Sequence, residues 1–236
     1  VQLLGPENGI ITSRRTYPGL GRFPTSLWPV GRAFCDVYEL TLPSQVDTPL
    51  RALLEIGLFD AATGERLPAT AGGVPVAPPI VASVVLAPKE VHAPEPAYPL
   101  AVDFGEAIVL RGYDRGPTVQ AGQPLTVTLY WEAASAINEP LIAFVHLWEP
   151  GAATAYAQHD SEPRNGWFPT PLWQPGDIVP DTHVLAVPAT LPPGDYHLWA
   201  GLYRAADGTR LPASEDEAPL PNALAPLGSV RVRAGG

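Results

Sequence analysis

Phe168-Pro169-Thr170-Pro171-Leu172-Trp173 repeats Phe23-Pro24-Thr25-Ser26-Leu27-Trp28, which lies 145 residues earlier. In the same register Gly31 meets Gly176, Asp36 meets Asp181, Leu40 meets Leu185 and Pro43 meets Pro188. Nine of the 21 positions from Phe23 to Pro43 are identical. After a one-residue slip, Gly57–Ala69 matches Gly201–Ala213 at nine of thirteen positions, and Ser83-Val84-Val85-Leu86 lines up with Ser229-Val230-Arg231-Val232. Self-similarity at a fixed spacing marks a duplicated module. The first copy has no counterpart of residues 101–145, so it is expected to be a truncated module.

Within the second copy, apolar and polar residues alternate with the period of a strand. Leu125, Val127, Leu129 and Trp131 share one face of Leu125–Trp131. Further strand-like runs are Ala107–Tyr113, Leu141–Trp148, Ala155–His159, His183–Val187, Tyr196–Tyr203 and Leu227–Arg233. Seven short strands separated by turns predict an antiparallel β-sandwich. Leu191-Pro192-Pro193-Gly194-Asp195-Tyr196 resembles the corner of an immunoglobulin-like sandwich, where a tyrosine hydroxyl reaches back to the backbone. The expected fold is therefore all-β, with two tandem immunoglobulin-like antiparallel β-sandwich modules. Residues 1–87 form the first, lacking its N-terminal strands, and residues 101–236 the second. The Pro-rich stretch 88–100 reads as a semi-rigid linker.

Composition agrees with strands and turns. The 236 residues include 30 prolines and 22 glycines, about 22% of the chain against roughly 12% in average chains. Prolines fall too often for helix bundles. At 46% hydrophobic and 16% charged residues, the balance is the reverse of a disordered chain. The net charge of −10 opposes nucleic acid and anionic lipid surfaces, which require clustered Lys and Arg. The single cysteine, Cys35, allows no intrachain disulfide. No apolar run is long enough to span a bilayer, so no direct membrane insertion is expected. Methionine is absent even at position 1, as in a processed product or a piece of a longer chain.

The repeat sorts candidate residues. Phe23/Phe168, Trp28/Trp173, Asp36/Asp181 and Arg66/Arg210 are shared by both copies and read as architecture. The aromatic pair would close one end of the core, Asp181 would cap loop amides, and Arg210 would pack across its hairpin. Trp167 and Trp148 are not shared, standing opposite Arg22 and Leu3. Aromatic faces exposed on a β-sandwich can stack on sugar rings, which makes these two the candidate ligand-binding residues. His159-Asp160 and Asp181-x-His183 could converge on a metal, but copy one has Arg14, Arg15 and Tyr38 in their places. No metal and no cofactor is assigned. The chain contains no H-E-x-x-H, G-x-S-x-G, Walker A or G-x-G-x-x-G motif, and no enzyme is expected.

Phe-Pro-Thr-x-Leu-Trp-x-Pro-Gly-Asp-x-Val-x-Asp, with Leu-Pro-Pro-Gly-Asp-Tyr-x-Leu-x-x-Gly-Leu-Tyr and Gly-Thr-Arg-Leu-Pro after it, resembles one known module type. These are the soluble β-sandwich modules that follow the membrane region of bacterial protein-mannosyltransferase-like glycosyltransferases and recur in related surface proteins. The resemblance covers residues 105–235 and, in truncated form, 1–87. It implies a non-catalytic, extracytoplasmic module at the cell surface or secreted, serving as an accessory or binding glycan or protein. The incomplete first copy suggests the alternative of a structural surface protein. There the missing strands would come from another copy of the chain or a neighbouring one, building a polymer or filament.

Overall fold

A computed structural model describes residues 1–88 and 95–235. Residues 89–94, the middle of the expected linker, lie outside the described residues. The chain divides into two compact units, Val1–Pro88 and Lys89–Gly236. Among the described residues the helical pieces are short 3₁₀ turns, and no helix is long and apolar enough to cross a membrane.

Unit 1 contains β1 (Gln2–Leu4), β2 (Ile10–Ser13), β3 (Leu50–Glu55), β4 (Ala69–Ala71), β5 (Val74–Val76) and β6 (Ile80–Leu86). Unit 2 begins with β7 (Tyr98–Phe104), β8 (Ile108–Arg115), β9 (Thr118–Gln120), β10 (Pro124–Ala133), β11 (Leu141–Leu147) and β12 (Ala157–Ser161). It continues with β13 (Ile178–Ala186), β14 (Gly194–Arg204), β15 (Ala213–Glu215), β16 (Ala218–Pro219) and β17 (Ala225–Arg233).

In unit 2 one sheet runs β13-β10-β8-β7-β15-β16 and the other β12-β11-β14-β17-β9. Every pairing is antiparallel except β9 with β17. Alternation drives the two sheets together, because each strand has one apolar face to bury. From β10 come Leu125, Val127, Leu129 and Trp131; from β14, Leu198, Ala200 and Leu202; from β17, Val230 and Val232. All belong to one buried cluster. Tyr196 donates its hydroxyl to the Pro192 carbonyl at 2.9 Å. Strand β7 opens inside the stretch read as linker. Its pairing with β8 needs Gly112, where φ is 148° and a Cβ would stand 2.4 Å from Pro96 and 2.6 Å from the Tyr98 carbonyl.

Unit 1 reproduces only one of these sheets. Its order, β2-β1-β3-β6, matches β12-β11-β14-β17 strand for strand. Isolated bridges Phe59–Arg66 and Tyr203–Arg210 fix the register of the two hairpins. Leu3 pairs with Leu54 as Leu147 pairs with Leu198, so Leu4, and not Leu3, is the counterpart of Trp148. Among the described residues unit 1 has no counterpart of the six-stranded sheet, and its core shrinks to Leu3, Leu50, Ala52 and Leu86 with a few half-buried neighbours. Val84 is 41% exposed, whereas its counterpart Val230 is 0% exposed. Residues 33–42 align with β13 yet form no strand. The reason is in unit 2, where β13 is an edge strand hydrogen-bonded to β10, and unit 1 has no β10. The expectation of two immunoglobulin-like sandwiches is corrected accordingly. The chain is all-β and built of antiparallel sheets, but unit 1 presents a single four-stranded sheet and a hairpin.

The repeated Phe/Trp loop folds the same way in both units. Thr25–Leu27 and Thr170–Leu172 form 3₁₀ turns entered from an extended proline, whose fixed φ suits that position. In each, the tryptophan indole N–H donates to the phenylalanine carbonyl five residues back, at 3.2 Å in unit 1 and 2.8 Å in unit 2. Burial differs: Phe168 and Trp173 are each 1% exposed, while Phe23 and Trp28 are half-buried.

Candidate functional site

Unit 2 carries two polar clusters, one inside its fold and one on its surface. The inner cluster centres on Asp181, fully buried. Its Oδ1 accepts the Arg164 backbone N–H at 2.7 Å. Its Oδ2 accepts the Trp131 indole N–H at 3.4 Å and lies 3.0 Å from His183 Nε2. His183, also fully buried, meets His159 through the two Nδ1 atoms at 2.9 Å. The two rings bond to each other instead of converging on a shared point, and no group of three His, Cys, Asp or Glu side chains able to hold a metal occurs among the described residues. Arg210 does not join Asp181. It donates to the Asn222 carbonyl at 3.1 Å and lies over the Phe144 ring at 5.1 Å.

Burial, and then the neighbouring His183, push His159 below its ordinary value of 6.5. The folded state therefore favours the neutral ring and binds fewer protons than the unfolded state near that pH. Stability is full above about pH 6.5 and is lost as pH falls through the depressed folded value. Denaturation midpoints between about pH 7 and pH 5 should drop for the native chain and drop less for His159→Gln. A native profile flat over that window would contradict this placement.

The surface cluster occupies the outer face of β12-β11-β14-β17. Core-facing Ala143, Val145 and Leu147 alternate with Phe144 and His146 on β11, with Trp148 just after it, and Leu198, Ala200 and Leu202 alternate with Trp199, Gly201 and Tyr203 on β14. His146 pairs directly with Trp199, and Phe144 with both Asp160 and Gly201. Gly201 is needed there, because a Cβ would stand 2.3 Å from the Phe144 ring. His146 Nε2 lies 3.0 Å from Asp160 Oδ1. Burial pushes the Asp160 carboxyl up, but hydrogen bonds from His146 and Tyr203 outweigh it and hold the group below its usual value.

Beside this dyad is a groove of about 420 Å³ walled by Trp148, Trp199, Pro150, Pro221, Leu224 and Pro226. The two indoles stand 6.4 Å apart at 68°. Each indole N–H is spent internally, Trp199 to the Trp148 carbonyl at 2.9 Å and Trp148 to the Ala152 carbonyl at 3.0 Å. What they present outward is ring surface in a fixed orientation. On the rim, Glu149 accepts the His197 backbone N–H at 2.8 Å and contacts its ring at 3.0 Å. Burial raises the Glu149 carboxyl, but these His197 contacts lower it further than burial raises it.

The structure separates the two tryptophans expected to bind ligand. Trp148 follows the C-terminal end of β11. Trp167 lies on the loop after β12, whose Ser161 pairs with Ala143 near the opposite end of β11. Trp199 takes Trp167's place beside Trp148 and was not singled out by sequence. Its signal was available: Trp199 and Tyr203 fall on the face of β14 opposite Leu198, Ala200 and Leu202. Asp36 and Arg66 also part company. Asp36 Oδ1 accepts the Val37 N–H, and Arg66 pairs with buried Glu55 and donates to Gln2 at 3.2 Å.

No family model and no curated protein matches this chain. Among solved structures, a crystal structure of the C-terminal domain of wzt is similar with a TM-score of 0.41 and 14% identity. The match covers 60% of this chain and 84% of that one. So loose a likeness transfers no property. The expected resemblance to mannosyltransferase-associated modules is corrected, since no family model and no curated protein of that kind matches. Of the motifs that carried it, Phe-Pro-Thr-x-Leu-Trp and Gly-x-Arg-Leu-Pro are turns of the internal repeat, and short Pro/Gly-rich turns recur wherever strands need the same punctuation.

Proposed function

We propose that this chain is a non-catalytic glycan-binding module of the extracytoplasmic space, with the glycan lying along the outer face of unit 2 at the Trp148–Trp199 groove. The carrying observation is that indole pair, half-buried with both N–H groups already bonded. A pyranose has an apolar face of C–H groups and a rim of hydroxyls. The indole faces suit the first, and Asn222 in the groove wall, with His146 paired to Trp199 and Glu149 next to Trp148 in the chain, suits the second. Indoles held in place before binding lose little freedom on contact, which favours affinity. Trp167 supplies a separate aromatic surface on its own loop.

Truncating a central aromatic anchor costs on the order of 2 kcal/mol. Trp199→Ala should therefore weaken binding to a neutral oligosaccharide selected on a glycan array by roughly 10-fold or more, measured by calorimetry. Trp167→Ala should change it less than about 3-fold. Equal affinity for the Trp199→Ala variant and the native chain would sink the proposal.

A second reading rests on Val84 and on residues 33–42. An exposed apolar sheet face, next to a segment left without a pairing partner, fits donation of strands by a second copy or a neighbouring chain. Light scattering separates the two readings, because a monodisperse monomer at high concentration leaves no room for a polymer.

A further inference from the structure

Arg14, Arg15, Tyr17, Tyr38, Phe59 and Arg66 line a cavity of about 730 Å³ in unit 1. The repeat explains why space opens there. Arg14, Arg15 and Tyr38 stand where unit 2 has His159, Asp160 and His183. In unit 2 each of these positions is engaged, His183 fully buried against Asp181 and His159, and Asp160 bonded to His146 on the outer face. In unit 1 the same positions place two guanidinium groups and a phenol on the wall of an open space.

Charge in the cavity does not cancel locally. Two carboxylates also line it, and each is already engaged. Glu55 is buried and holds Arg66. Asp60 turns its Oδ1 to the Ala62 and Thr63 amides at 2.8 and 2.9 Å. Arg15 lies over the Phe59 ring at 5.7 Å, a face contact that leaves its N–H edge free. Neither Arg14 nor Arg15 has an ion-pair partner among the described residues. In a chain of net charge −10, two unpaired arginines on one concave, aromatic-lined surface form a local anion site.

The geometry points to a carboxylate-bearing saccharide as the ligand, its carboxylate on Arg14 and Arg15 and its ring against Tyr17 or Tyr38. Planar guanidinium groups match a carboxylate with two parallel hydrogen bonds, and half-exposed tyrosine rings offer a face for a sugar. The cavity has room for more than a small free anion. This site goes beyond the unit 2 groove and does not depend on it.

The test is a titration of the full chain with glucuronic acid, glucose and acetate, followed by nuclear magnetic resonance. Glucuronic acid should bind at least tenfold more tightly than either comparison compound, and binding should weaken as salt is raised. The double variant Arg14→Gln, Arg15→Gln should lose at least tenfold in affinity with an unchanged melting temperature. Arg15→Lys, which keeps the charge but not the planar fork, should lose part of it. Trp199→Ala should bind glucuronic acid as the native chain does, even if the unit 2 proposal fails. Acetate binding as well as glucuronic acid, undiminished binding by the double glutamine variant, or loss of binding in Trp199→Ala would each overturn the assignment.

Discussion

Asp181→Ala should destabilise unit 2 by about 3–5 kcal/mol, because it strips the acceptor from several buried donors at roughly 1–3 kcal/mol each. Asp181 is fully buried and serves three groups on separate elements: the Arg164 amide, the Trp131 indole and His183. Alanine leaves these groups without their acceptor inside the fold. Asp181→Asn, which keeps an acceptor oxygen, should cost less. The repeat supplies a control. Asp36 occupies the same place in unit 1, where its Oδ1 serves the adjacent Val37 amide, and Asp36→Ala should cost under about 1 kcal/mol. Chemical denaturation of both variants checks the contrast. Equal losses would contradict the difference in burial between the units.

Trp173→Ala should cost about 3–5 kcal/mol, as large-to-small core changes do. The indole is 1% exposed, stacked with Phe168 at 6.5 Å and bonded to the Phe168 carbonyl. Trp28 makes the same bond to Phe23 but is half-buried. Trp28→Ala should therefore cost no more than about half as much. The local turn is common to both tryptophans, so it cannot account for a difference. Only the second sheet, which Trp173 has and Trp28 lacks, can. Denaturation curves for the two single variants give the comparison directly, and a Trp28→Ala loss as large as that of Trp173→Ala would refute it.

Sequence carries local structure further than it carries pairing. The Phe-Pro-Thr-x-Leu-Trp turn and the alternation of Leu125, Val127, Leu129 and Trp131 could be read directly, because each depends on neighbouring residues. Residues 33–42 could not, since a strand's existence depends on a partner, and the partner of β13 is a segment that unit 1 lacks. Strand β7 was hidden by Pro96 and Pro99; Gly112 on the neighbouring strand admits the close approach of Pro96 and pairs with Pro99. At the site, Trp148 was legible as an unshared aromatic. Trp199 was legible only as an outward residue of β14; its place beside Trp148 was not, because the β11–β14 register sets it. Arg66 and Arg210 share a motif but not a role, because Glu55 stands in unit 1 where unit 2 has Trp199.

The six tryptophans provide the most direct measurement of the outer-face proposal. Each indole N–H gives its own nuclear magnetic resonance signal, and these can be followed while a neutral oligosaccharide is added to the full chain. The signals of Trp148 and Trp199 should move together and saturate at one affinity, while those of buried Trp131 and Trp173 stay in place. Saturable shifts confined to Trp28 or Trp167, with Trp148 and Trp199 unmoved, would contradict the proposal.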